Sequence, residues 1–117
     1  MSIQRHQTNP RMSQIVIHGD TIYLAGQVDQ TGAADVPGQT QNILNRIDEL
    51  LAEAGSSKKH VLSAFIHITD MANFDAMNSV WDTWLPNDHS PARTCVQSTL
   101  ARPNILVEVT IVAAKAN

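Results

Sequence analysis

The chain has 117 residues, 43% of them hydrophobic and 16% charged, as expected for a single domain over residues 1–117. No apolar run approaches the ~20 residues needed to span a bilayer, which argues against a membrane helix. The net charge of -3, from eight Lys and Arg against eleven Asp and Glu, disfavours binding to nucleic acid, because phosphate binding requires a clustered basic face.

The predicted elements begin with a β-hairpin. Two β-rich runs, residues 15–18 and 21–26, flank Gly19-Asp20, a pair suited to the positive φ angles of a tight turn. A helix is predicted next, because Pro37 fits a first helical turn and Gly55 fits the position just after a helix end. Its apolar side chains recur at helical spacing and bury one face. They are Ile43, Leu44, Ile47, Leu50, Leu51 and Ala54.

The second half of the chain predicts three strands and one helix. Residues 61–68 alternate as a half-buried strand. One face carries Leu62, Ala64, Ile66 and Ile68, and the other carries Val61, Ser63, Phe65 and His67. Asp70 or Asn73 caps a helix that ends before Pro86, with an apolar stripe of Phe74, Met77, Trp81 and Trp84. Strands at 93–97 and 105–114 complete the order ββαβαββ.

Two amphipathic helices can cover only one face of this α+β sheet, so the other face meets water or a second subunit. On the last strand, the helix side would take Ile105, Val107, Val109 and Ile111. The open side would then carry Leu106, Glu108, Thr110 and Val112, and the open side of the strand at 61–68 would carry Phe65 and His67. This open face is too apolar for plain solvent exposure, and we expect it to pack against other copies of the chain.

Arg93 and Glu108 are the residues best suited to binding and catalysis. Arg93 opens a predicted strand in the string PARTCVQ and shares a strand face with Cys95. Glu108 lies in mid-strand in an apolar run, where a carboxylate is costly to bury without a partner. The two side chains can pair if their strands are neighbours or belong to adjacent subunits. Such a pair predicts either a structural ion pair at an interface, or a site in which the guanidinium grips a carboxylate ligand while Glu108 handles water and protons.

The remaining chemical groups carry weaker signals. The lone Cys95 and a polar N-terminus without a secretory signal favour a cytoplasmic protein, and a lone cysteine is more typical of a small buried hydrophobe than of a nucleophile. The five histidines show no metal-ligand spacing, so neither a metal nor a cofactor is expected. Asn78 interrupts the stripe of the second helix, either as a surface amide or as a polar group that reaches a cleft. Gly26 indicates a bulge or a close backbone approach.

Five strings, in chain order, resemble the RidA/YjgF family of reactive-intermediate deaminases. They are YLAGQV at 23–28, VPGQTQNILNRI at 36–47, a D-x-x-x-F-x-x-M-N run at 70–78, PARTCVQ at 91–97 and VEVTIVAA at 107–114. The third and fourth strings are specific in combination, and the match spans nearly the whole chain.

The resemblance implies a chorismate-mutase-like fold, with two helices on one face of a mixed sheet, and a homotrimer whose three sites lie between subunits. Members of the family hydrolyse enamine and imine acids such as 2-aminoacrylate to 2-oxo acids and ammonia. By position, Arg93 would bind the substrate carboxylate and Glu108 would orient the hydrolytic water. Cys95, Gly26 and Asn78 would line the pocket.

Two departures from the family pattern make the pocket less polar. Ala25 stands where many members carry a serine, and Met12 stands where an aromatic phenol usually precedes the first strand. These departures favour, as an alternative, a non-catalytic protein of the same fold that binds or senses small carboxylates. A ribonuclease or translation inhibitor is a further alternative, against which the acidic charge balance argues.

Overall fold

Two α-helices pack on one face of a six-stranded mixed sheet, which confirms the predicted α+β fold. The computed structural model describes all of residues 1–117. In chain order the elements are β1 (Ile3–Thr8), β2 (Ser13–His18), β3 (Thr21–Leu24), α1 (Val36–Glu53), β4 (Val61–Ile68), α2 (Phe74–Trp84), β5 (Ala92–Gln97) and β6 (Val107–Ala114). No helix is both long and apolar enough to cross a membrane.

The order of strands across the sheet is β1-β2-β3-β6-β4-β5. Neighbouring strands run antiparallel except for β4 and β5, which run parallel because the crossover through α2 returns the chain to the same end of the sheet. The last two strands of the chain are therefore separated by β4, and β5 forms one edge of the sheet.

The helix boundaries follow from local chemistry, and the predicted positions of Pro37 and Gly55 at the ends of α1 are confirmed. Asp35 caps α1 by accepting a 2.8 Å hydrogen bond from the backbone N–H of Gly38, and Pro37 lies in the first turn. Gly55 follows the helix end with φ of +82°, a backbone conformation that favours glycine. Asp70 caps the short 3-10 turn Met71–Asn73 through the N–H of Ala72, and α2 begins directly after that turn. Asn73 occupies the N-cap position of α2, but its side chain makes no capping hydrogen bond.

The strand β1 is an addition to the predicted order, which becomes βββαβαββ. It pairs with β2 at the other edge of the sheet, and five of its six residues are exposed. An exposed edge strand needs no apolar alternation, so the pattern that reveals the other strands is missing here. Met12 accordingly lies in the turn between β1 and β2 rather than ahead of the first strand.

The predicted inner and outer faces are confirmed on β6 and partly reversed on β4. On β6 the odd positions are buried and the even positions, including Glu108, are half-buried. On β4 the predicted faces hold from Ser63 onward, but Val61 is buried and Leu62 is exposed, the opposite of the prediction. A bulge between Val61 and Ser63 shifts the register against β6, and an extra residue inverts the strand face on one side of such a bulge.

Candidate functional site

Arg93 lies on the helix-covered face at the β5 edge of the sheet. Its guanidinium carbon is 5.5 Å from the ring centroid of Trp81 and 5.7 Å from that of Phe74. Its Nη1 donates a 2.7 Å hydrogen bond to Oδ1 of Asn78. These three α2 residues share one side of the helix, because their spacing of four and three residues follows the helical repeat. The helix thus holds the guanidinium against two aromatic rings and orients it with one amide.

The charge of Arg93 has no carboxylate partner within the chain. The two ion pairs of the protein are His6 with Glu53 at 3.6 Å and Arg46 with Glu49 at 3.2 Å. The bond to Asn78 uses one of the five N–H donors of a guanidinium. A permanently charged, partly desolvated cation with free donors at a sheet edge is suited to binding a carboxylate.

Cys95 lies two residues further along β5, on the same face as Arg93, as predicted. Burial raises the pKa of its thiol, and the nearby positive charge of Arg93 offsets this only in part, so the net pKa lies above the ordinary value. The side chain packs against the apolar core. Cys95 therefore acts as a small hydrophobe beside Arg93, and the thiolate needed for nucleophilic attack is disfavoured.

Glu108 lies on the open face, where its carboxylate covers Gly26. A Cβ atom built at Gly26 would lie 2.5 Å from Oε2 of Glu108 and 3.1 Å from Oγ1 of Thr110. Only glycine leaves room for this approach, which confirms the close backbone contact predicted at Gly26.

Gln27 fixes the segment around Gly26 against β6, and the sequence patterns did not reveal this role. Its backbone N–H and C=O bond to Val109, at 2.8 and 3.0 Å. Its buried side chain donates from Nε2 to Oε1 of Gln14 at 2.8 Å and to the Ala25 carbonyl at 2.9 Å. A buried amide with satisfied hydrogen bonds holds its surroundings in one arrangement, so Gly26 is kept under the Glu108 carboxylate.

The structure does not bring Arg93 and Glu108 together within one chain. Arg93 pairs with Ala64, which pairs in turn with Ile111, three positions beyond Glu108. Two strand spacings and three residues along a strand place the two Cα atoms about 14 Å apart, on opposite faces of the sheet. The version of the prediction in which neighbouring strands of one chain pair these residues is therefore wrong.

The predicted site residues instead form two separate groups. The Arg93 group consists of Arg93, Asn78 and Cys95, at the β5 edge beside α2. The Glu108 group lies at the other side of the sheet and consists of Glu108, Gly26 and Met12. Met12 is an exposed residue at the same end of the sheet as Gly26, because the N–H of Ala25 bonds to the carbonyl of Gln14.

Neither group lines an enclosed cavity of the single chain. The largest cavity has a volume of about 510 Å³ and is lined by residues 97–103 with Thr69 and Ile105. The Arg93 group and the Glu108 group both lie on the surface of the single chain, and neither this cavity nor the smaller ones are lined by their residues.

Comparison with known proteins gives a consistent family. The family model described as Endoribonuclease L-PSP matches residues 3–115. The RutC family protein YoaB of Escherichia coli strain K12 is 42% identical over 114 residues, 97% of this chain and 99% of that protein. The 3-aminoacrylate deaminase RutC of Acinetobacter baylyi is 36% identical over 85 residues, 73% of this chain and 67% of that protein.

A solved structure supports the same assignment. The crystal structure of a YjgF-family protein from Neisseria meningitidis has a TM-score of 0.98 and 42% sequence identity, covering 100% of this chain and 98% of that chain. The five sequence strings, the fold and these relatives agree, and the chain belongs to the RidA/YjgF family.

Proposed function

We propose that this protein is an enamine and imine deaminase, which hydrolyses reactive 2-imino acids to 2-oxo acids and ammonia. The observation that carries the proposal is the guanidinium of Arg93, which has no carboxylate partner and is held by Asn78, Phe74 and Trp81. A relative in the same family bears the name 3-aminoacrylate deaminase, and 3-aminoacrylate combines an enamine with a carboxylate.

The chemistry requires little beyond placement of the reactants. Arg93 binds the substrate carboxylate through two parallel N–H···O bonds, which fixes the position of the adjacent imine carbon. Glu108 accepts a hydrogen bond from a water molecule and takes its proton as the water oxygen attacks that carbon. No cofactor is needed, because an imine carbon already reacts with water.

A complete site requires two copies of the chain. Arg93 and Glu108 face opposite sides of the sheet, so the Arg93 group of one subunit has to meet the Glu108 group of the next. The apolar open face, with Tyr23 and Phe65 exposed on it, supports packing between copies. A repeated contact between two different surfaces closes into a ring when the rotation between copies allows it, and the family resemblance favours a homotrimer with three sites.

The direct test is turnover of an enamine acid. A lyase generates 2-aminoacrylate in the assay, and the release of pyruvate is followed with and without the protein. We expect acceleration by the wild type, loss of that acceleration in Arg93→Ala, and full activity in the control Arg46→Ala, which removes a surface arginine paired with Glu49. Absence of acceleration by the wild type, or full activity in Arg93→Ala, contradicts the proposal. Tight binding of a 2-oxo acid without turnover would select the non-catalytic carboxylate-binding alternative.

Cleavage of RNA is the second candidate, favoured by the description of the matching family model as an endoribonuclease. The net charge of -3 argues against it, because binding to a phosphate backbone depends on basic residues that displace counterions. Incubation with single-stranded RNA at low salt tests this candidate, and we expect neither binding nor cleavage.

A further inference from the structure

His67 faces Glu108 across two paired strands on the open face. In the register of β4 and β6 the two residues are directly opposite, and the Cβ atoms of such pairs lie about 4.5–5.5 Å apart. The two ion pairs of the chain involve other residues, so the imidazole and the carboxylate share this surface without direct contact. The Glu108 carboxylate leans over Gly26, on the β3 side of β6, so the two tips lie apart on this face and a small substrate or a water molecule has to bridge them.

One nitrogen of His67 is already engaged by the protein. Nδ1 lies 3.0 Å from Oγ of Ser98, and the backbone N–H of Ser98 donates a 2.9 Å bond to the carbonyl of Ile68, which holds the serine beside β4. The imidazole also packs against Phe65, with ring centroids 4.8 Å apart. The hydrogen bond at Nδ1 sets the orientation of the ring and leaves Nε2 as the nitrogen that can exchange a proton.

We infer that His67 is the general acid of the site and delivers protons to the substrate nitrogen while Glu108 removes them from water. This inference rests on the proposed deaminase function. Imine hydrolysis needs one group that accepts a proton from oxygen and one that donates a proton to nitrogen, and two side chains that face each other can do both within a single step.

The two proton transfers balance in each step. In the addition step the C–O bond forms, the water proton passes to Glu108, and the electron pair of the C=N bond takes a proton from His67. In the elimination step the hydroxyl proton passes to Glu108, the C–N bond breaks, and nitrogen leaves as ammonia with a proton from His67. After each step a proton returns from Glu108 to His67 through solvent.

The other titratable and charged side chains of the open face lie further away. Tyr23 on β3 is opposite Val112, four positions beyond Glu108 on β6. The strands β2 and β1 contribute His18 and Arg5, and the open-face positions of β5 carry none, being Ala92, Thr94 and Val96. Within the chain, Glu108 and His67 are therefore the two acid-base groups nearest to one another on this face.

The test compares His67→Gln and His67→Phe with the wild type in the 2-aminoacrylate assay. Gln can keep a hydrogen bond to Ser98 without exchanging protons, and Phe keeps the packing on Phe65. We expect kcat to fall by about 10²-fold in both variants, with KM changed by less than about threefold. The pH dependence of kcat that the wild type shows should be lost in both variants, because neither Gln nor Phe exchanges protons. Ser98→Ala should retain that pH dependence with a smaller loss of kcat.

Several outcomes would overturn the inference. The inference is wrong if His67→Gln keeps the wild-type kcat. It is also wrong if kcat falls in the variants while its pH dependence stays unchanged. Circular dichroism and elution volume establish that each variant folds and assembles, and either variant alone suffices if the other does not fold. Full activity of both His67 variants alongside an inactive Arg93→Ala would remove His67 from the mechanism and leave the deaminase function standing. An inactive wild type would remove both.

Discussion

Substitution of Gly26 by alanine should disable Glu108 without unfolding the protein. The added Cβ would lie 2.5 Å from Oε2 of Glu108, whereas an ordinary van der Waals contact begins at 3.4 Å. The carboxylate must therefore move by about 1 Å, and a displacement of that size costs on the order of 10²-fold in rate. The group that moves is the far end of a flexible side chain, so the cost in folding free energy is about 1 kcal/mol.

The assay is pyruvate release from 2-aminoacrylate, combined with a thermal melt of each variant. Glu108→Ala removes the obstructed carboxylate, so adding Gly26→Ala to it should cause no further loss of stability in the thermal melt. Activity of Gly26→Ala within about twofold of wild type would contradict this prediction. A loss of stability on Gly26→Ala that is equal in the presence and absence of the Glu108 carboxylate would also contradict it.

Three further predictions concern other residues. Asn78→Ala should raise KM about tenfold, because the guanidinium loses a hydrogen bond worth about 1.5 kcal/mol. Asn78→Asp should raise KM further by pairing with Arg93, while the control Ser79→Ala, on an exposed helix position, keeps the wild-type value in steady-state kinetics. Burial alone would raise the pKa of Asp29, but hydrogen bonds from Thr31, Ala33 and Asn42 outweigh it and lower the pKa below its ordinary value of 3.8. The ionised Asp29 therefore stabilises the folded state above pH 3.8. This stabilisation is lost as the pH falls through the lower pKa that Asp29 has in the folded protein. Urea unfolding should show a weaker acid dependence below about pH 4 in Asp29→Asn than in wild type or in the exposed control Asp82→Asn. Cys95, whose pKa is raised by burial, should react with iodoacetamide at about pH 8 more slowly than glutathione does, and Cys95→Ala should keep its activity. Rapid alkylation of Cys95 with loss of turnover would contradict its role as a small hydrophobe beside Arg93.

The elements of the fold that could be predicted are those with a local cause. The extent of α1 follows from a proline at one end and a glycine at the other, and the two faces of β6 follow from strict alternation. The strand β1 could not be predicted, because its exposed residues carry no apolar period. The bulge at Val61 could not be predicted either, because a single inserted residue changes which face is buried without altering composition.

The site residues could be named from the sequence, but their arrangement could not. Arg93 and Glu108 stand out by chemistry and by family resemblance, yet their positions relative to each other depend on β4 lying between β5 and β6. Strand order comes from long-range pairing that no local pattern records. The partners of His67 and Gln27 escaped prediction for the same reason, since Ser98 and Gln14 approach them only through the folded sheet.

Mixing of two inactive variants shows whether one site combines Arg93 of one subunit with Glu108 of another. Arg93→Ala and Glu108→Ala are unfolded together and refolded as mixed assemblies. In a trimeric ring, about three quarters of randomly mixed trimers contain both variants, and each of these has one intact site out of three. We predict that the mixture recovers about one quarter of the wild-type rate, while each variant refolded alone stays inactive. A mixture of confirmed mixed trimers that stays as inactive as its components would contradict a site shared between subunits.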